Sequence, residues 1–133
     1  GVELFLAASA IGGIMAQRMV RRLCPNCSTL TPASAEDRLA YEKEMNEERT
    51  HFLYGAGCNY CARTGYLGRT GIFEVMIVTE SVRRMILAGA AMDDIRNQAL
   101  RGGMISLWHD GMIKVKMGLT TPYEVMRNVF TIS

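Results

Sequence analysis

The four cysteines of this chain stand in two Cys-x-x-Cys pairs, CPNC at residues 24–27 and CNYC at residues 58–61. Each pair presents two thiolates from one tight turn, and four thiolates around one Zn²⁺ complete a closed tetrahedral structural site. The binding energy of the metal would also hold the intervening loop between the two turns. The spacing therefore predicts a structural zinc site with four ligands: Cys24, Cys27, Cys58 and Cys61.

Two disulfides, a redox dithiol and an iron site are the other uses that four cysteines in this arrangement allow. Disulfides are typical of exported proteins, and the first charged residue of this sequence is the acidic Glu3, where a secretory signal would have basic residues. A redox dithiol needs only one Cys-x-x-Cys pair, so two pairs that flank a loop disfavour it. Iron can occupy the same four sulfur atoms, and the spacing does not distinguish it from zinc.

The first residues, GVELFLAASAIGGIMAQ, are apolar on all sides and predict a helix over residues 4–16. This run is shorter than the roughly 20 residues that span a bilayer. A helix without a polar face is normally buried inside a larger domain. We therefore expect the chain to be part of a longer protein, and a cytoplasmic one, because neither an export signal nor a membrane signal is present in the sequence.

The composition allows one ordinary domain or two small lobes, because 133 residues with a hydrophobic fraction of 49% are enough for a packed core. The net charge of +2 is too small to indicate a nucleic-acid partner. It also conceals an uneven distribution, since residues 36–49 contain six acidic and three basic side chains. Net charge by itself therefore identifies no class of partner.

The sequence predicts one helix between the cysteine pairs and one strand on either side of them. Arginines interleaved with Met19, Val20 and Leu23 are typical of a short strand that enters the first cysteine turn. After the second turn, the apolar, β-rich residues 72–78 predict a buried strand. Ser34 is placed to cap the helix. This helix is predicted to be mostly solvated because it has few apolar anchors: Leu39, Tyr41 and Met45.

The part of the chain after Val78 is predicted to be a small helical bundle. Its helices are recognised by capping residues, by terminating glycines and by apolar side chains at helical spacing. The markers are Thr79 and Gly89 for the first helix; Met92, Ile95 and Ala99 for the second; Met104, Trp108, Met112 and Val115 for the third; and the capping box TPYE at residues 121–124 for the fourth.

The stretches AQRMVRRLCPNC and GCNYCARTGYLGRTGIFE resemble the C-terminal part of the type II secretion and type IV pilus assembly ATPases. The tail GMISLWHDGMIKVKMGLTTPYEVMRNV resembles the closing helices of the same family, so the resemblance covers essentially the whole chain. It implies an α/β fragment of a RecA-like motor domain, with an inserted four-cysteine zinc module and a small helical bundle. The implied parts are the end of the motor core, with a helix and a strand (1–23), the zinc module (24–61), a strand returning to the motor core (62–78) and the C-terminal helical subdomain (79–133).

For function, the resemblance implies the C-terminal portion of a hexameric ring motor that uses ATP and Mg²⁺ to move pseudopilins or pilins. The implied partners are further copies of the same protein and an inner-membrane platform protein, which would hold a cytoplasmic motor at the membrane. The chain contains no Gly-x4-Gly-Lys-Ser/Thr phosphate-binding loop, and such a loop supplies groups that γ-phosphate transfer requires. We therefore expect the chain alone to hydrolyse no ATP. The residues do not distinguish a secretion machine from a pilus machine.

The resemblance also implies one nucleotide contact. In the family, the arginine of the GYxGRTG stretch lies near the base side of the bound nucleotide, and the matching residue is Arg69. A guanidinium can stack on adenine and donate hydrogen bonds at once, which suits a contact to the base. The alternative is an ordinary solvated arginine at the start of a strand. The predicted site residues are thus the four cysteines for metal and Arg69 for nucleotide, with no catalytic residue in the chain.

Other polar residues are predicted to have structural roles. His51 and His109 are not needed in a zinc shell that four cysteines already fill. Glu74, a lone acid in an apolar strand, is expected to pair locally rather than to act in catalysis. The basic residues before the first cysteine could face nucleotide, a neighbouring subunit or solvent: Arg18, Arg21 and Arg22.

Two functions of other classes stay open on the sequence alone. A freestanding zinc ribbon could bind nucleic acid through the basic stretch RMVRRLCPNC. Against this, no aromatic residues are interleaved with the basic ones, and an acidic helix lies inside the module, so we expect no specific nucleic acid as partner. A redox or chaperone-type cysteine protein is the other class. A phosphate-binding loop in the parent protein would favour the motor over both.

Overall fold

The computed structural model describes residues 13–130 of the chain, and the surroundings of the side chains from residue 15 to residue 129. None of the helices in this part of the chain has the length and apolar character that crossing a lipid bilayer requires. The described residues form a small α/β structure with two sheets. The elements in chain order are β1 (Gly13–Leu23), β2 (Ser28–Pro32), α1 (Ala35–Met45), β3 (His51–Gly55), β4 (Tyr66–Ile77), α2 (Glu80–Leu87), α3 (Met92–Arg101), α4 (Leu107–Lys116) and α5 (Pro122–Phe130).

The chain divides into two compact units. Of the described residues, the first unit contains residues 13–16 together with Phe73–Ser106, and so includes one end each of β1 and β4 with α2 and α3. The second unit contains Gln17–Ile72 and residues 107–130, and so includes the cysteine turns, β2, β3, α1, α4 and α5. β1 and β4 each contribute residues to both units. The four parts expected from the sequence stay a prediction.

Two sheets of two strands each are present: β1 pairs with β4, and β2 pairs with β3. The β2–β3 pair is antiparallel, in a register that runs from Ser28 opposite Gly55 to Pro32 opposite His51. The sequence analysis does not predict this pair, because each strand has only five residues and β2 (STLTP) is polar with a terminal proline. Proline is tolerated in such an edge strand, where its missing N–H costs no ladder bond.

The predicted helix over residues 4–16 is wrong at its C-terminal end, because residues 13–16 belong to β1. The remainder of that helix, residues 4–12, lies outside the described residues. From Met15 to Val20 more exposed and less exposed side chains alternate, which is the period of a strand. A continuously apolar run does not separate a buried helix from a strand by periodicity. The predicted strand leading into Cys24 is confirmed.

The strand predicted at residues 72–78 is present as β4, but it begins earlier, at Tyr66, and only one of its faces is buried. Ile72 and Met76 are buried, whereas Phe73, Val75 and Ile77 are 40%, 44% and 62% exposed. The prediction of a fully buried strand is therefore wrong for this chain. An apolar run is typical of a strand that is buried on both faces, whereas only one face of β4 is buried here.

Helix α1 is capped as predicted: the Ser34 hydroxyl accepts a hydrogen bond from the N–H of Asp37 at 3.2 Å. Its expected anchors behave differently from one another. Leu39 is 67% exposed, whereas Tyr41 is completely buried and meets Phe52 of β3 edge-on, with ring centroids 5.0 Å apart. Met45, the third expected anchor, is partly buried and packs against the same core as Tyr41, so two of the three expected anchors hold the helix.

In the first unit, α2 and α3 pack against the C-terminal end of β4. Thr79 caps α2 as predicted, since its hydroxyl accepts a hydrogen bond from the N–H of Val82 at 3.3 Å. α3 begins after Ala91 and ends at Arg101, before the two glycines that predicted its end. The apolar side chains of both helices share one core with β4: Met76, Val78, Val82, Ile95 and Ala99.

The second unit has a separate core, in which α4 and α5 pack with α1 and β3. The sequence predicts one bundle for the last four helices, but the structure groups them in two pairs, α2 with α3 and α4 with α5. Of the apolar stripe predicted for the third helix, Trp108, Met112 and Val115 pack with aromatic residues from between the cysteine turns. Met104 lies before α4 and packs in the core of the first unit instead, so the prediction is wrong for this residue. The buried members of the core are Tyr41, Phe52, Met112, Val115 and Val125.

Gly111 lies inside α4, where glycine normally costs stability relative to alanine. A Cβ at this position would clash with Cγ1 of Val125 and would lie 3.1 Å from its Cγ2. Helices α4 and α5 therefore approach each other as closely as they do because residue 111 has no side chain.

Gly111→Ala is expected to lower the free energy of unfolding by about 1–3 kcal/mol, the typical cost of overpacking a core, in spite of the better helix propensity of alanine. Gly102→Ala is the matched control, because its Cβ would make only ordinary contacts, the nearest at 3.4 Å from the carbonyl oxygen of Ala99. Urea denaturation measures both. Equal stability of Gly111→Ala and the wild type would contradict the close approach of α4 and α5.

Candidate metal centre

The pairing of β2 with β3 brings the two cysteine turns to one end of that sheet. β2 starts directly after Cys27, β3 ends three residues before Cys58, and Ser28 pairs with Gly55. Two Cys-x-x-Cys pairs that are thirty residues apart in the chain therefore become neighbours in space. The antiparallel register, which the sequence does not reveal, is what positions the site.

The four cysteine sulfurs form a compact group in which all lie within 4.8 Å of one another. The sulfurs of Cys24 and Cys58 are 3.7 Å apart, those of Cys27 and Cys61 3.8 Å, and those of Cys58 and Cys61 3.7 Å. A regular tetrahedron with metal–sulfur bonds of about 2.3 Å has edges of about 3.8 Å. The cysteines are free thiols rather than disulfides, and their spacing is that of ligands around one ion.

Backbone and side-chain N–H groups point at the sulfurs. The N–H groups of Cys58 and Gly65 each donate to Cys61 Sγ at 3.2 Å, and that of Gly57 donates to Cys27 Sγ at 3.3 Å. The side-chain amide of Asn26 donates to Cys58 Sγ at 3.3 Å. Such bonds favour the thiolate form and hold each ligand in orientation, as outer-shell contacts do in metal sites.

Because of these contacts and of burial, the pKa values of the thiols differ from one another. Burial raises the pKa of Cys27 to about 11. Burial acts in the same direction on Cys61, but the backbone N–H groups of Cys58 and Gly65 outweigh it and lower the pKa of Cys61 to about 6. The hydrogen bond from Asn26 lowers the pKa of Cys58. Two of the four sulfurs therefore favour the thiolate, which is the form that binds metal.

Two glycines allow the second cysteine turn to fold back against β3. A Cβ at Gly65 would lie 2.6 Å from the carbonyl oxygen of Gly55, and a Cβ at Gly55 would clash with the backbone of Gly65. The carbonyl oxygen of Gly65 also accepts a hydrogen bond from the N–H of Cys24 at 3.0 Å. The backbone of residue 65 thus connects both turns, and only glycine fits there.

The donor set fits a closed structural metal site. Four cysteine sulfurs, of which Cys24 and Cys61 are buried, leave no ligand position for water or substrate in a tetrahedral shell. Zinc and iron both accept four thiolates, and zinc is the commoner ion in such sites. When bound, the ion would connect the two turns; it would have no direct part in a reaction.

Arg69, the predicted nucleotide contact, lies on β4 in the second unit, outside the cysteine group. Its side chain is exposed and lines a pocket together with Arg21 of β1 and Arg127 of α5. Of the three arginines before the first cysteine, Arg21 is the one in this pocket. Arg18 donates to the carbonyl oxygen of Gln17 at 2.8 Å, and Arg22 is exposed.

The sequence analysis does not identify the role of Glu124. It recognises this residue only as part of a capping box, and Thr121 does accept a hydrogen bond from the Glu124 N–H at 3.2 Å. The carboxylate, however, is 2% exposed and is turned to β1. There it accepts from the backbone N–H of Arg21 at 2.7 Å and from its Nε and Nη2 at 3.1 and 3.0 Å. The sequence shows only that an acidic residue lies in the first turn of a helix. It does not identify the partner of this residue, Arg21, which is 103 residues away in the chain.

Two residues beside the Arg21–Glu124 pair, Tyr66 and Thr121, also take part in its contacts. The Arg21 guanidinium lies over the ring of Tyr66, 4.2 Å from its centroid, and the Tyr66 hydroxyl is 2.8 Å from that of Thr121. Burial acts to raise the pKa of Glu124, but the side-chain and backbone hydrogen bonds from Arg21 outweigh it and lower that pKa. The carboxylate is therefore held ionised, and it joins α5 to β1.

The histidines and Glu74 have local partners. His51 Nδ1 is 2.9 Å from the Thr50 hydroxyl, and His109 Nδ1 is 3.1 Å from Glu44 Oε1. Glu74 receives two hydrogen bonds from Arg96, at 2.6 and 2.7 Å. Neither histidine belongs to the cysteine group, and the expected local pairing of Glu74 is confirmed.

Comparison with known proteins places the chain in a family. The family model described as type II/IV secretion system protein matches residues 1–127. The type II secretion system ATPase E of Vibrio cholerae serotype O1 is 38% identical over 128 residues, which are 96% of this chain and 25% of that protein. The type IV pilus assembly ATPase PilB of Thermus thermophilus is 36% identical over 127 residues, 95% of this chain and 14% of that protein.

The type II secretion system protein E of Aeromonas hydrophila is 37% identical over 127 residues, 96% of this chain and 25% of that protein. This chain thus spans a quarter or less of the length of these three curated relatives. The matches cover almost all of the chain, including both cysteine turns and the residues around Arg69, and they confirm the resemblance seen in the sequence. The chain belongs to the type II/IV secretion system protein family.

Proposed function

We propose that this chain is the C-terminal portion of a motor ATPase that couples ATP hydrolysis to the movement of pseudopilins or pilins. The observation that carries the proposal is the match to proteins named secretion and pilus assembly ATPases, over 95–96% of the chain and about a quarter or less of their length. A phosphate-binding loop is not found in the 133 residues, so the hydrolytic groups would lie elsewhere in the complete protein.

In this proposal the four cysteines hold a structural zinc ion. The sulfur–sulfur distances near 3.8 Å support it, as do the N–H groups directed at the sulfurs. The ion would fasten β1, β2 and β3 to the turn that leads into β4. A rigid connection of this kind suits a motor, because a segment that deforms under load transmits less force to its partner.

The exposed face of β4 supports placement in a larger RecA-like core. In the first unit the side chains of Phe73, Val75 and Ile77 follow one another at every second position and are exposed, although they are apolar. Exposed apolar side chains in a row are typical of a surface that another part of a protein covers. The remainder of a motor domain, as implied by the length of the relatives, is the cover that we propose.

The proposed setting is a hexamer in the cytoplasm, held at the inner membrane through a platform protein and using ATP with Mg²⁺. A nucleic-acid partner is not part of this proposal. The basic stretch that would form its footprint includes Arg21, and this side chain is engaged by Glu124 and Tyr66. A guanidinium occupied in this way is less available to a phosphate backbone.

The test compares this chain with the complete protein that contains it. We expect the complete protein to contain a phosphate-binding loop and to hydrolyse ATP, and the 133-residue chain to show no turnover above that of buffer. Phosphate release measured on both samples, each with its metal content determined, checks this. Turnover by the thoroughly purified chain alone, or a complete protein without a phosphate-binding loop, would contradict the proposal.

A further inference from the structure

The second unit contains a pocket of about 390 Å³ that lies against the first cysteine turn. Among its lining residues, Leu23 precedes Cys24 and Pro25 follows it. Another, Ser28, comes directly after Cys27. Pockets that bind ligands usually measure about 300–1,000 Å³. The second unit therefore has a cavity of useful size, and one wall of this cavity is the candidate metal centre.

The pocket is lined mainly by apolar side chains. Leu23 is buried, and its N–H donates to the carbonyl oxygen of Leu119 at 2.8 Å, which holds the segment between α4 and α5 beside the end of β1. Leu67 of β4 is 46% exposed. Leu30 lies two positions after Ser28 in β2, and so on the same face of that strand, and is also exposed. Apolar side chains that stay exposed around a cavity are typical of a surface that binds another molecule.

Arg22 is the one charged residue that lines the pocket. Its side chain is exposed, and no hydrogen bond or ion pair joins it to another residue in the part of the chain that the structure describes. Aspartate and glutamate are not among the lining residues. A guanidinium that is not neutralised favours a negatively charged group of a ligand. The pocket is therefore suited to a ligand that combines an apolar part with an anionic group.

The polar part of the lining indicates which class of anionic ligand fits. A single guanidinium, without an aromatic ring that would stack on a base, is a poor match for a nucleotide. Gly118 has only main-chain atoms, so the part of the wall that it forms is backbone. The Ser28 hydroxyl can donate and accept a hydrogen bond. Backbone and hydroxyl groups are partners for the amide groups of a peptide, whereas the acyl chain of a lipid offers nothing for them to bind.

We propose that this pocket binds a short segment of a partner protein, in which an apolar side chain such as leucine stands next to a glutamate or an aspartate. The apolar side chain contacts Leu67 and Leu119, and the carboxylate pairs with Arg22. This inference goes beyond the proposed function, because it is argued from the pocket alone and needs no nucleotide. It also gives the metal ion a consequence for binding, since the ion would hold the first cysteine turn in place as a wall of the pocket.

The experiment uses the zinc-loaded chain and a capped hexapeptide, Gly-Ser-Leu-Glu-Ser-Gly. Three matched peptides have glutamine or lysine in place of the glutamate, or serine in place of the leucine. Titrations followed by NMR measure each affinity and locate the site. We expect the leucine–glutamate peptide to bind with a Kd below about 1 mM and to shift the amide signals of Leu67, Gly118 and Leu119. The lysine and serine peptides should bind at least about fivefold more weakly.

Two pairs of variants test the two halves of the site. Arg22→Gln should weaken binding of the leucine–glutamate peptide about fivefold, the upper value for an exposed ion pair, and Arg22→Glu should make the chain prefer the lysine peptide. Arg63→Gln is the matched control, because Arg63 is exposed and does not line the pocket. Leu67→Ser should also weaken binding about fivefold or more. Its control is Leu39→Ser, since Leu39 is exposed on α1, outside the pocket.

Removal of the metal by a chelator should abolish binding of the peptide, because the first cysteine turn then loses its connection to the second. Circular dichroism and zinc content of each substituted chain exclude loss of the fold as the cause of weaker binding. Unchanged affinity of the metal-free chain would overturn the role of the metal in the pocket.

Equal losses in Arg22→Gln and Arg63→Gln would overturn the proposal, because they would mean general attraction by surface charge. Absence of binding by every peptide at millimolar concentration would do so too, as would binding to vesicles of anionic phospholipid in place of the peptides. Hydroxyl-radical footprinting of the complete protein gives a further test. Protection of Leu67 there without any peptide would mean that the protein's own remainder covers the pocket, and the proposal would be wrong. The proposed function is decided separately, by ATP hydrolysis of the complete protein.

Discussion

Cys61→Ser is expected to weaken zinc binding severely and to lower the stability of the second unit by at least about 4 kcal/mol. The Cys61 sulfur is buried and accepts hydrogen bonds from two backbone N–H groups. A serine hydroxyl is a poorer metal ligand than a thiolate and is shorter, so it would keep neither the metal bond nor both of these contacts. Three remaining thiolates would leave an open shell around the ion.

Elemental analysis and competition with a chromophoric chelator measure the metal, and hydrogen exchange shows where the chain loosens. We expect about one zinc ion per wild-type chain. Loss of protection should be greatest between the two cysteine turns, and α2 and α3 should keep theirs, because they belong to the core of the first unit. The ends of the cysteine loop depend on the metal far more than do helices that are packed by apolar contacts.

Ala56→Ser is the control for the serine substitution. Ala56 is exposed and lies between β3 and the second cysteine turn, so serine there adds a hydroxyl that faces solvent. Its metal content and stability should equal those of the wild type. A metal-free wild-type chain with two disulfides by mass, as stable as the sample incubated with zinc, would contradict the metal site altogether.

Glu124→Gln is expected to lower the free energy of unfolding by about 3 kcal/mol at neutral pH, the lower end of what breaking a buried ion pair costs. The lower end applies because Arg21 is 36% exposed, so that water can reach part of the unpaired guanidinium. Glutamine has the size of glutamate, and the substitution therefore creates no cavity. It removes the charge and the acceptor capacity that join α5 to β1.

The difference between Glu124→Gln and the wild type should depend on pH. The folded pKa of Glu124 is lowered, so ionisation of this group stabilises the fold above the pKa of an unfolded glutamate, about 4.3. This stabilisation is lost as the pH falls from there through the lower pKa of the folded chain. The wild type should therefore approach the variant in stability at acid pH, as measured by urea denaturation at several pH values.

Glu80→Gln is the matched control for this experiment. Glu80 forms an ion pair with Arg84 at 3.6 Å, but the two side chains are 69% and 75% exposed. Exposed pairs of this kind contribute at most about 0.5 kcal/mol. A loss of equal size in both variants, or a difference for Glu124→Gln that stays constant down to acid pH, would disprove the buried ion pair.

Helix ends and turns were predictable wherever the interaction spans only a few residues. Ser34, Thr79 and Thr121 each accept a hydrogen bond from the N–H three positions later, and this relation depends on spacing alone. The cysteine pairs are of the same kind, because two ligands from one tight turn are recognisable without knowing the fold. The expected ligand set therefore needed no tertiary information, although the ion itself remains a prediction.

Strand assignments were less predictable, because an apolar run has the same appearance in a buried strand and in a buried helix. Residues 13–16 were expected to be helical and belong to β1. The short β2 was not expected, since five polar or isolated apolar residues form a strand only when a partner is available. In both places pairing with a distant strand, and not local preference, decides the conformation.

The sequence by itself determined the family, the caps of the helices and, by their spacing, the four cysteines as one candidate set of ligands. Only the tertiary structure decided that β2 pairs with β3 and so unites the cysteine turns, and that the carboxylate of Glu124 meets Arg21 across 103 residues. The close approach of α4 to α5 at Gly111 was decided there as well. The physical reason is the distance along the chain. Contacts within one turn follow from residue spacing, whereas contacts between distant segments depend on strand register and helix packing, and the local sequence pattern does not fix either of these.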